Sequence, residues 1–216
     1  TETSRDAVKY RASLGLDGTV SDANHVLTVL VEQEEGKSDA NTVYDRETKS
    51  VAAEYRASFD FGLDLQLGAR HDDNEGFKDV DTWTTGLSYA VPSLPVRLHA
   101  SAGKGSVKPS FSELYGSAWA VGNPDLEIEE NQSWDAGVEF NLADRGTLDV
   151  TYFEEDLKNE ITYVSVSSGS NYFNEDGTSE RRGVEVAGLY QVAPNLDLRG
   201  TYTWLDAKDP DGSVEE

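Results

Sequence analysis

The sequence predicts an all-β fold, an antiparallel up-and-down β-barrel of about ten strands or a segment of one. Apolar and polar residues alternate along almost the whole chain of 216 residues. Many alternating runs are about ten residues long, the length that a tilted strand needs to cross a bilayer. Short turns near residues 20, 61, 93, 145 and 194 alternate with long loops, and that layout is typical of outer-membrane barrels.

Most predicted strands have one apolar and one polar side. In the first run Val8, Tyr10, Ala12 and Leu14 share a side, with polar residues between them. The next strand, from about Val26 to Glu32, is apolar on both sides at first. Later runs return to the one-sided pattern and begin near Val51, Leu63, Trp83, Val96, Trp134, Leu148, Val184 and Leu196. Polar loops are predicted at 34–48, 72–76 and 155–180, and a long central loop at 108–126. The central loop has a proline near each end and aromatics between them, which indicates an ordered rather than slack segment.

The composition limits the function. Asp and Glu number 41 against 18 Lys and Arg, a net charge of −23. We therefore predict no nucleic-acid partner, since such a site needs a basic surface. The absence of cysteine excludes disulfides, thiolate nucleophiles and Cys-ligated metals. The mean hydropathy of −0.56 is that of a soluble protein, but membrane barrels share it because only alternate residues face lipid.

The two sides of the strands fit either a membrane barrel or a soluble one. Large aromatics gather near strand ends, as in the girdles of membrane barrels: Tyr10, Trp83, Tyr89, Trp134, Tyr152, Tyr202 and Trp204. The opposite side is polar: Arg11, Glu54, Arg56, Gln66, Arg70, Arg97, His99, Asp135, Glu139 and Arg199. This side lines the lumen of a membrane barrel but meets the surrounding water in a soluble barrel or sandwich. Alternation alone does not separate the two.

Four blocks in order along the chain resemble the TonB-dependent outer-membrane receptors for siderophores and vitamin B12. The first is the central loop, which reads KPSFSELYG and then GNPDL at 108–126. The second reads LDVTYF at 148–153, the third YFN at 172–174 and then RGVEV at 182–186, and the fourth LDLRGTYTWLDA at 196–207. The chain departs from the family pattern at 127–129, where Glu-Ile-Glu stands for the usual Lys-Pro-Glu. This departure argues against a ligand contact from a basic residue there.

The resemblance implies a transmembrane barrel of the bacterial outer membrane, with lipid or detergent against its apolar side. It implies TonB-dependent uptake of a metal chelate such as a siderophore or cobalamin, with no cofactor. We expect residues 1–216 to form a single barrel domain or barrel segment from the later part of a larger barrel. The plug domain through which TonB acts is expected to lie outside this chain.

The resemblance also implies candidate site residues. Central loops of such receptors overhang the binding cavity, so the candidate ligand contacts are Ser110, Phe111, Glu113, Tyr115 and Trp119. The alternative is that these side chains only fold the loop onto the barrel mouth. The residues implied to face the lumen are Arg11, Glu54, Arg56, Arg70, Arg97, Glu139 and Arg199.

A second function class is an excised or engineered small barrel with a structural or passive-pore role. Open strand edges in lipid leave backbone groups unpaired, at a cost of several kcal/mol per group. If the chain is an isolated molecule, we therefore expect the strand near 8–16 to pair with the strand near 196–204 and close the barrel.

Catalysis and metal binding find little support. His71 beside Asp72 and Asp73 suggests an acid–base pair, but no nucleophile elbow, phosphate-binding glycine loop or His-x-x-x-His pair accompanies it. We predict no enzyme. Carboxylates crowd the loops, Asp39 and Asp211 among them, and calcium is the alternative to a solvated acidic rim. No run has the EF-hand spacing, so we predict no metal site.

Overall fold

The computed structural model describes residues 3–38, 44–166, 169–210 and 213. Asp39 and Asp211 of the acidic loops lie outside the described residues. The strands within these ranges are β1 (Thr3–Gly15), β2 (His25–Ser38), β3 (Tyr44–Phe59), β4 (Leu63–Asn74), β5 (Val80–Ala90), β6 (Val96–Val107), β7 (Glu129–Asn141), β8 (Gly146–Lys158), β9 (Ile161–Tyr163), β10 (Tyr172–Asn174), β11 (Thr178–Ala193) and β12 (Leu196–Lys208). A short helix, α1 (Phe111–Tyr115), and a 3-10 turn (Ala143–Arg145) complete them. No helix of the described ranges is long and apolar enough to cross a membrane.

Ten of these strands form one antiparallel sheet in chain order, with β11 next to β8 because β9 and β10 pair separately. Each strand joins the next through a hairpin, so the topology is up-and-down. The turns lie near residues 20, 61, 93, 145 and 194. The predicted all-β fold and the number of strands in the main sheet are confirmed.

The register gathers apolar side chains on one face of the sheet, because directly opposed residues of an antiparallel pair point the same way. One such row runs through Leu98, Val138, Val150, Val186 and Tyr202. A second row joins Leu14, Leu27, Tyr55 and Leu67 on the first four strands. Many of these side chains are exposed; Leu14 shows 59% of its surface and Tyr202 shows 63%. A continuous apolar face of this kind marks a surface that needs a nonpolar neighbour.

Aromatic residues bound this apolar face at both ends. Trp134 lies at the long-loop end of β7, where its Nε1 donates to Glu154 at 3.0 Å and its ring packs 5.5 Å from that of Tyr152. Phe140 lies six residues further along the same strand, about 20 Å away at the rise of an extended chain. Indole and phenol rings with one apolar and one hydrogen-bonded end suit a membrane interface.

The strands are longer on the long-loop side than the sequence indicated. The predicted loop at 34–48 is wrong in its bounds, since β2 runs to Ser38 and β3 begins at Tyr44. The predicted loop at 155–180 likewise contains the end of β8, the β9–β10 hairpin and the start of β11. Both faces of these extensions are polar, so hydrophobic alternation stops while the backbone ladder continues. Cross-strand ion pairs such as Arg5–Glu34 join neighbouring strands in these extensions.

The expected closure of the barrel is wrong. Within the described residues β1 pairs only with β2 and β12 only with β11, so both edges of the ten-stranded sheet are open. A ten-stranded closed barrel has a narrow interior that its own side chains fill. Barrel diameter grows with the number of strands, and the open arc here has the central loop spanning its mouth from β6 to β2 and β3.

Candidate functional site

The central loop, predicted at 108–126, extends to residue 128 in the structure, since β7 begins at Glu129. It is an ordered segment that contains α1. Ser110 caps the helix: its Oγ accepts from the Glu113 N–H at 3.3 Å, and the Glu113 carboxylate accepts from the Ser110 N–H at 2.6 Å. This reciprocal capping box satisfies two backbone donors that the helix leaves unpaired. Gly116 ends the helix with φ of 84°, a conformation that glycine adopts without strain. The loop residues Leu114, Leu126 and Ile128 are buried.

On one side the loop reaches across the polar face to β2 and β3. Phe111 packs over the backbone of Gly36, and the guanidinium of Arg46 lies 4.8 Å from the Phe111 ring centroid. Arg46 also donates from Nη1 to the Pro109 carbonyl at 2.7 Å. Tyr115 stacks on Tyr44 with centroids 3.6 Å apart and planes within 3°. The loop leaves the sheet at β6, three strands from β3, so these contacts place it over the mouth of the polar face.

On the other side the loop binds the β9–β10 hairpin through asparagine side chains. Asn171 accepts from the Val121 N–H at 2.7 Å, and Asn174 accepts from the Glu127 N–H at 2.8 Å. Asn123 donates to the Tyr172 carbonyl at 2.9 Å. Side-chain amides of this kind replace the backbone partners that an irregular loop lacks. Two anchored sides fix the position of the segment 117–121 between them.

Of the five predicted contacts, four hold the loop in place and the fifth, Trp119, is exposed. Ser110 and Glu113 cap α1, while Phe111 and Tyr115 pack the loop onto β2 and β3. Trp119 is 90% exposed, and its backbone N–H donates to the Ser117 hydroxyl within the loop. A fully exposed tryptophan on an ordered segment is available to stack on another molecule.

Sequence reasoning missed the residues that receive the loop. Tyr44 and Arg46 fell inside the predicted loop at 34–48, and the hairpin asparagines fell inside the predicted loop at 155–180. The one available signal was the motif Tyr-Phe-Asn at 172–174, quoted for the resemblance but assigned no contact.

The seven residues predicted to face the lumen share the polar face of the sheet. Arg11 opposes Leu30, Glu54 opposes Gly68, Arg70 opposes Thr82, and Arg97 opposes Glu139. Charge pairing on this face is extensive: the Arg70 guanidinium contacts Glu32 at 3.1 Å and Asp72 at 2.8 Å. Arg56 lies 3.3 Å from Glu54 and Arg97 lies 3.9 Å from Glu139. Arg199 of β12 opposes Leu189.

Two clefts follow this face. The larger, of about 740 Å³, is lined by Arg11, Glu54, Arg56 and Arg70. The second, of about 570 Å³, contains His99 and Asp135. His99 Nε2 lies 2.8 Å from an oxygen of Asp149, and the Asp149 carboxylate also accepts from the Thr151 hydroxyl at 2.7 Å.

The predicted acid–base pair at His71 does not form with its sequence neighbours. His71 Nδ1 lies 2.8 Å from Asp81 on the adjacent strand, while Asp72 pairs with Arg70 on the polar face. His71 opposes Val51 and so belongs to the apolar side, away from both clefts. Among the described residues no group of three or more His, Asp or Glu side chains is placed to hold a metal ion.

Comparisons with known proteins agree with this geometry. The vitamin B12 transporter BtuB of Vibrio vulnificus is 26% identical over 178 residues, and that of Photobacterium profundum is 28% identical over 183 residues. These matches cover 81% and 80% of this chain, which spans 28% of the length of each relative.

Solved structures share the fold. The siderophore receptor PirA from Pseudomonas aeruginosa superposes with a TM-score of 0.77 at 21% identity, covering 94% of this chain and 41% of that one. A mutant of the ferric enterobactin receptor PfeA from the same organism, in complex with enterobactin, gives 0.81 at 20% identity, covering 98% and 37%. The family model described as TonB dependent receptor-like, beta-barrel, matches residues 3–215. The chain belongs to the TonB-dependent receptor β-barrel family.

Proposed function

We propose that this chain forms part of the barrel wall of a bacterial outer-membrane receptor that takes up a metal chelate, a siderophore or cobalamin, by a TonB-dependent route. The proposal is supported by the family match and by relatives described as a vitamin B12 transporter and a siderophore receptor. In this proposal lipid covers the apolar face that carries Leu98, Val138 and Val150, and the polar face with its two clefts lines the lumen. TonB acts through the plug of such a receptor and not through these strands.

The observation that carries the proposal is the central loop anchored across the mouth of the polar face. Ser110, Phe111, Glu113 and Tyr115 hold the loop in place through the capping box and the aromatic contacts. We assign the direct ligand contact to Trp119, whose ring is exposed on the segment between the two anchors. An aromatic side chain there loses little conformational entropy on binding and offers a large apolar surface.

The proposal involves neither catalysis nor a resident cofactor. A receptor of this kind needs a ligand site, a passage and energy coupling. In this proposal the paired charges of the polar face line the passage. Buried or half-buried ion pairs in such a wall keep it polar without leaving charges unsatisfied.

Uptake measurements test the proposal. The complete gene product is expressed in a Gram-negative strain that lacks its own receptors, and uptake of radiolabelled ferric siderophores and cobalamin is followed with and without TonB. We expect saturable, TonB-dependent uptake of one of these compounds. Uptake that persists without TonB supports the passive-pore alternative, and no uptake of any chelate contradicts the proposal.

A variant of the exposed tryptophan tests the ligand assignment. Trp119→Ala should raise the half-saturation concentration by about tenfold, as expected when one aromatic contact is lost. Val121→Ala, an exposed apolar residue of the same segment, serves as the control for general loop damage. Equal effects of the two changes contradict a specific role for Trp119.

A further inference from the structure

The apolar side of β1 to β4 contains a groove of about 420 Å³. Val31 of β2 and Val51 of β3 oppose each other at its centre. Tyr10 opposes Val31 from β1, and His71 opposes Val51 from β4, so a ring borders the two valines on each side. Tyr10, Val31 and Val51 are all exposed. An apolar channel between two rings fits a hydrocarbon chain.

The long-loop end of this groove carries two opposite charges that do not meet. Lys49 of β3 and Asp73 of β4 both line the groove and directly oppose each other. Opposed side chains of an antiparallel pair begin about 5 Å apart at Cβ, yet the Lys49 ammonium lies 3.3 Å from Glu47 on its own strand. Among the described residues no ion pair joins Lys49 to Asp73. The exposed carboxylate of Asp73 is therefore available as an acceptor for another molecule.

Carboxylates outnumber cations around this end of the groove. Glu47 lies beside Lys49, and Asp81 of β5 lies 2.8 Å from Nδ1 of His71. With Asp73, these carboxylates exceed the charge that one lysine and one imidazole supply. A purely anionic headgroup is disfavoured there, because like charges repel at close range. A headgroup that brings its own cation satisfies Asp73 while its anion meets Lys49.

Phosphoethanolamine has this combination of charges. Its phosphate oxygens can accept from the Lys49 ammonium, and its primary ammonium can donate to the Asp73 carboxylate, both as charge-assisted hydrogen bonds. Phosphocholine has the same charges, but its quaternary nitrogen has no N–H to donate. Phosphoglycerol has no cation. The two carboxylate and ammonium contacts therefore distinguish three headgroups that differ little in size.

We propose that this groove binds one lipid with a phosphoethanolamine headgroup. An acyl chain lies on Val31 and Val51 between the two rings, the phosphate contacts Lys49, and the ammonium contacts Asp73. The site rests on the proposed function in that lipid covers the apolar face. It goes beyond that function because it makes one position of the lipid cover selective for its headgroup.

Native mass spectrometry of the complete gene product, released from dodecyl maltoside micelles, tests the proposal. Phosphatidylethanolamine, phosphatidylglycerol and phosphatidylcholine with the same acyl chains are titrated in turn. We expect the dissociation constant of the first bound lipid to be about tenfold lower for phosphatidylethanolamine than for the other two, the usual effect of one charge-assisted hydrogen bond. Free phosphoethanolamine, which lacks acyl chains, should not displace the lipid at equal concentration.

Two substitutions separate the two headgroup contacts. Asp73→Asn should remove the preference for phosphatidylethanolamine over phosphatidylcholine, because the ammonium loses its charged acceptor. Lys49→Gln should weaken both of these lipids by about tenfold, because both present a phosphate. Asp156→Asn and Lys158→Gln make the same changes on the apolar side of β8, away from the groove, and should leave the dissociation constants unchanged.

The order of the three lipids on the unsubstituted protein decides the outcome even if a variant does not fold. Equal affinities, or a preference for phosphatidylglycerol, overturn the proposal. Equal effects of Lys49→Gln and Lys158→Gln also overturn it, because they show attraction by surface charge in general. If selectivity is absent while TonB-dependent uptake persists, this inference alone fails. Selective binding without uptake of any chelate supports the groove and contradicts the proposed uptake function.

Discussion

At the scale of single residues, Gly183 is a position in the sheet where no side chain fits. A Cβ on Gly183 of β11 would collide with the Trp204 carbonyl oxygen of β12 and lie 2.7 Å from the Phe153 ring of β8. The carbonyl belongs to the paired backbone of the next strand and cannot move freely. Glycine at this position therefore lets three strands approach while the Phe153 ring lies across the polar face.

We expect Gly183→Ala to destabilise the folded protein by about 1–3 kcal/mol through this overpacking. Gly200→Ala on β12 is the matched control, since nothing lies within 4 Å of its Cβ position. Urea unfolding in detergent micelles compares the two. Equal unfolding midpoints for both variants would contradict the collision.

A carboxylate at the outer rim gives a prediction about pH. Glu130 lies above the aromatic boundary at Trp134 and contacts Lys104 at 2.7 Å and Lys78 at 2.5 Å. Hydrogen bonds from Lys104 and then Lys78 hold the pKa of Glu130 at about 2, below its ordinary value of 4.5. Because the unfolded carboxylate takes up its proton first, these contacts stabilise the fold above about pH 4.5 and are lost as the pH falls toward about 2.

We expect the unfolding midpoint in urea to fall more between about pH 6 and about pH 3 for the unsubstituted protein than for Glu130→Gln, which has no carboxylate to protonate. Other acidic residues titrate in both proteins and cancel in the comparison. An identical pH dependence would show that the two lysines do not stabilise the ionised form of Glu130.

At the scale of elements, the central loop and the β9–β10 hairpin form one unit. Asn174 accepts from the Glu127 N–H and donates to the carbonyls of Glu127 at 3.2 Å and Asn159 at 2.7 Å. A single side chain thereby joins the end of the loop to both flanks of the hairpin. Loss of this amide leaves backbone groups of two separate segments without their partners.

Asn174→Ala should increase amide hydrogen exchange in 121–128 and in 159–164 together, because local opening of one segment then exposes the other. Asn195→Ala, in the turn between β11 and β12 at the opposite end of the strands, is the control. Faster exchange confined to the hairpin would contradict the coupling between the two elements.

At the scale of the whole molecule, the two faces of the sheet require different surroundings. Val186 and Ala187 are neighbours in β11 but point to opposite faces. Val186 lies in the apolar row between Val150 and Tyr202, whereas Ala187 opposes Asp149 and Thr201. Two adjacent substitutions therefore test the membrane orientation with almost the same change in sequence.

Val186→Arg should cost about 2–4 kcal/mol in folding into lipid vesicles, the usual cost of arginine on a lipid-facing position. Ala187→Arg should cost much less, because its guanidinium can pair with Asp149. The measurement is the folded fraction in vesicles across a urea series. A larger loss for Ala187→Arg would reverse the assignment of lipid and lumen.

Hydrophobic alternation predicted the strands best where one face of the sheet is apolar and the other is polar. The row through Leu98 and Val150 was predicted correctly because apolar and polar residues alternate along these strands. A shift of the strand register by one residue would move all the apolar side chains to the opposite face. Beyond Glu34 in β2 and before Thr48 in β3 both faces are polar, so the pattern vanishes although the strands continue. Strand bounds on that side were for this reason mispredicted.

The sequence by itself determined the class, the strand order, the two faces and, through four quoted motifs, the family. These properties are local or periodic, so each can be predicted from consecutive residues. Only the tertiary structure decided that the sheet stays open and that Tyr44 and Arg46 receive the central loop. The reason is distance along the chain: Arg46 and Pro109 are 63 positions apart, and the hydrogen bond between them exists only after the strands have paired and the loop has crossed the polar face.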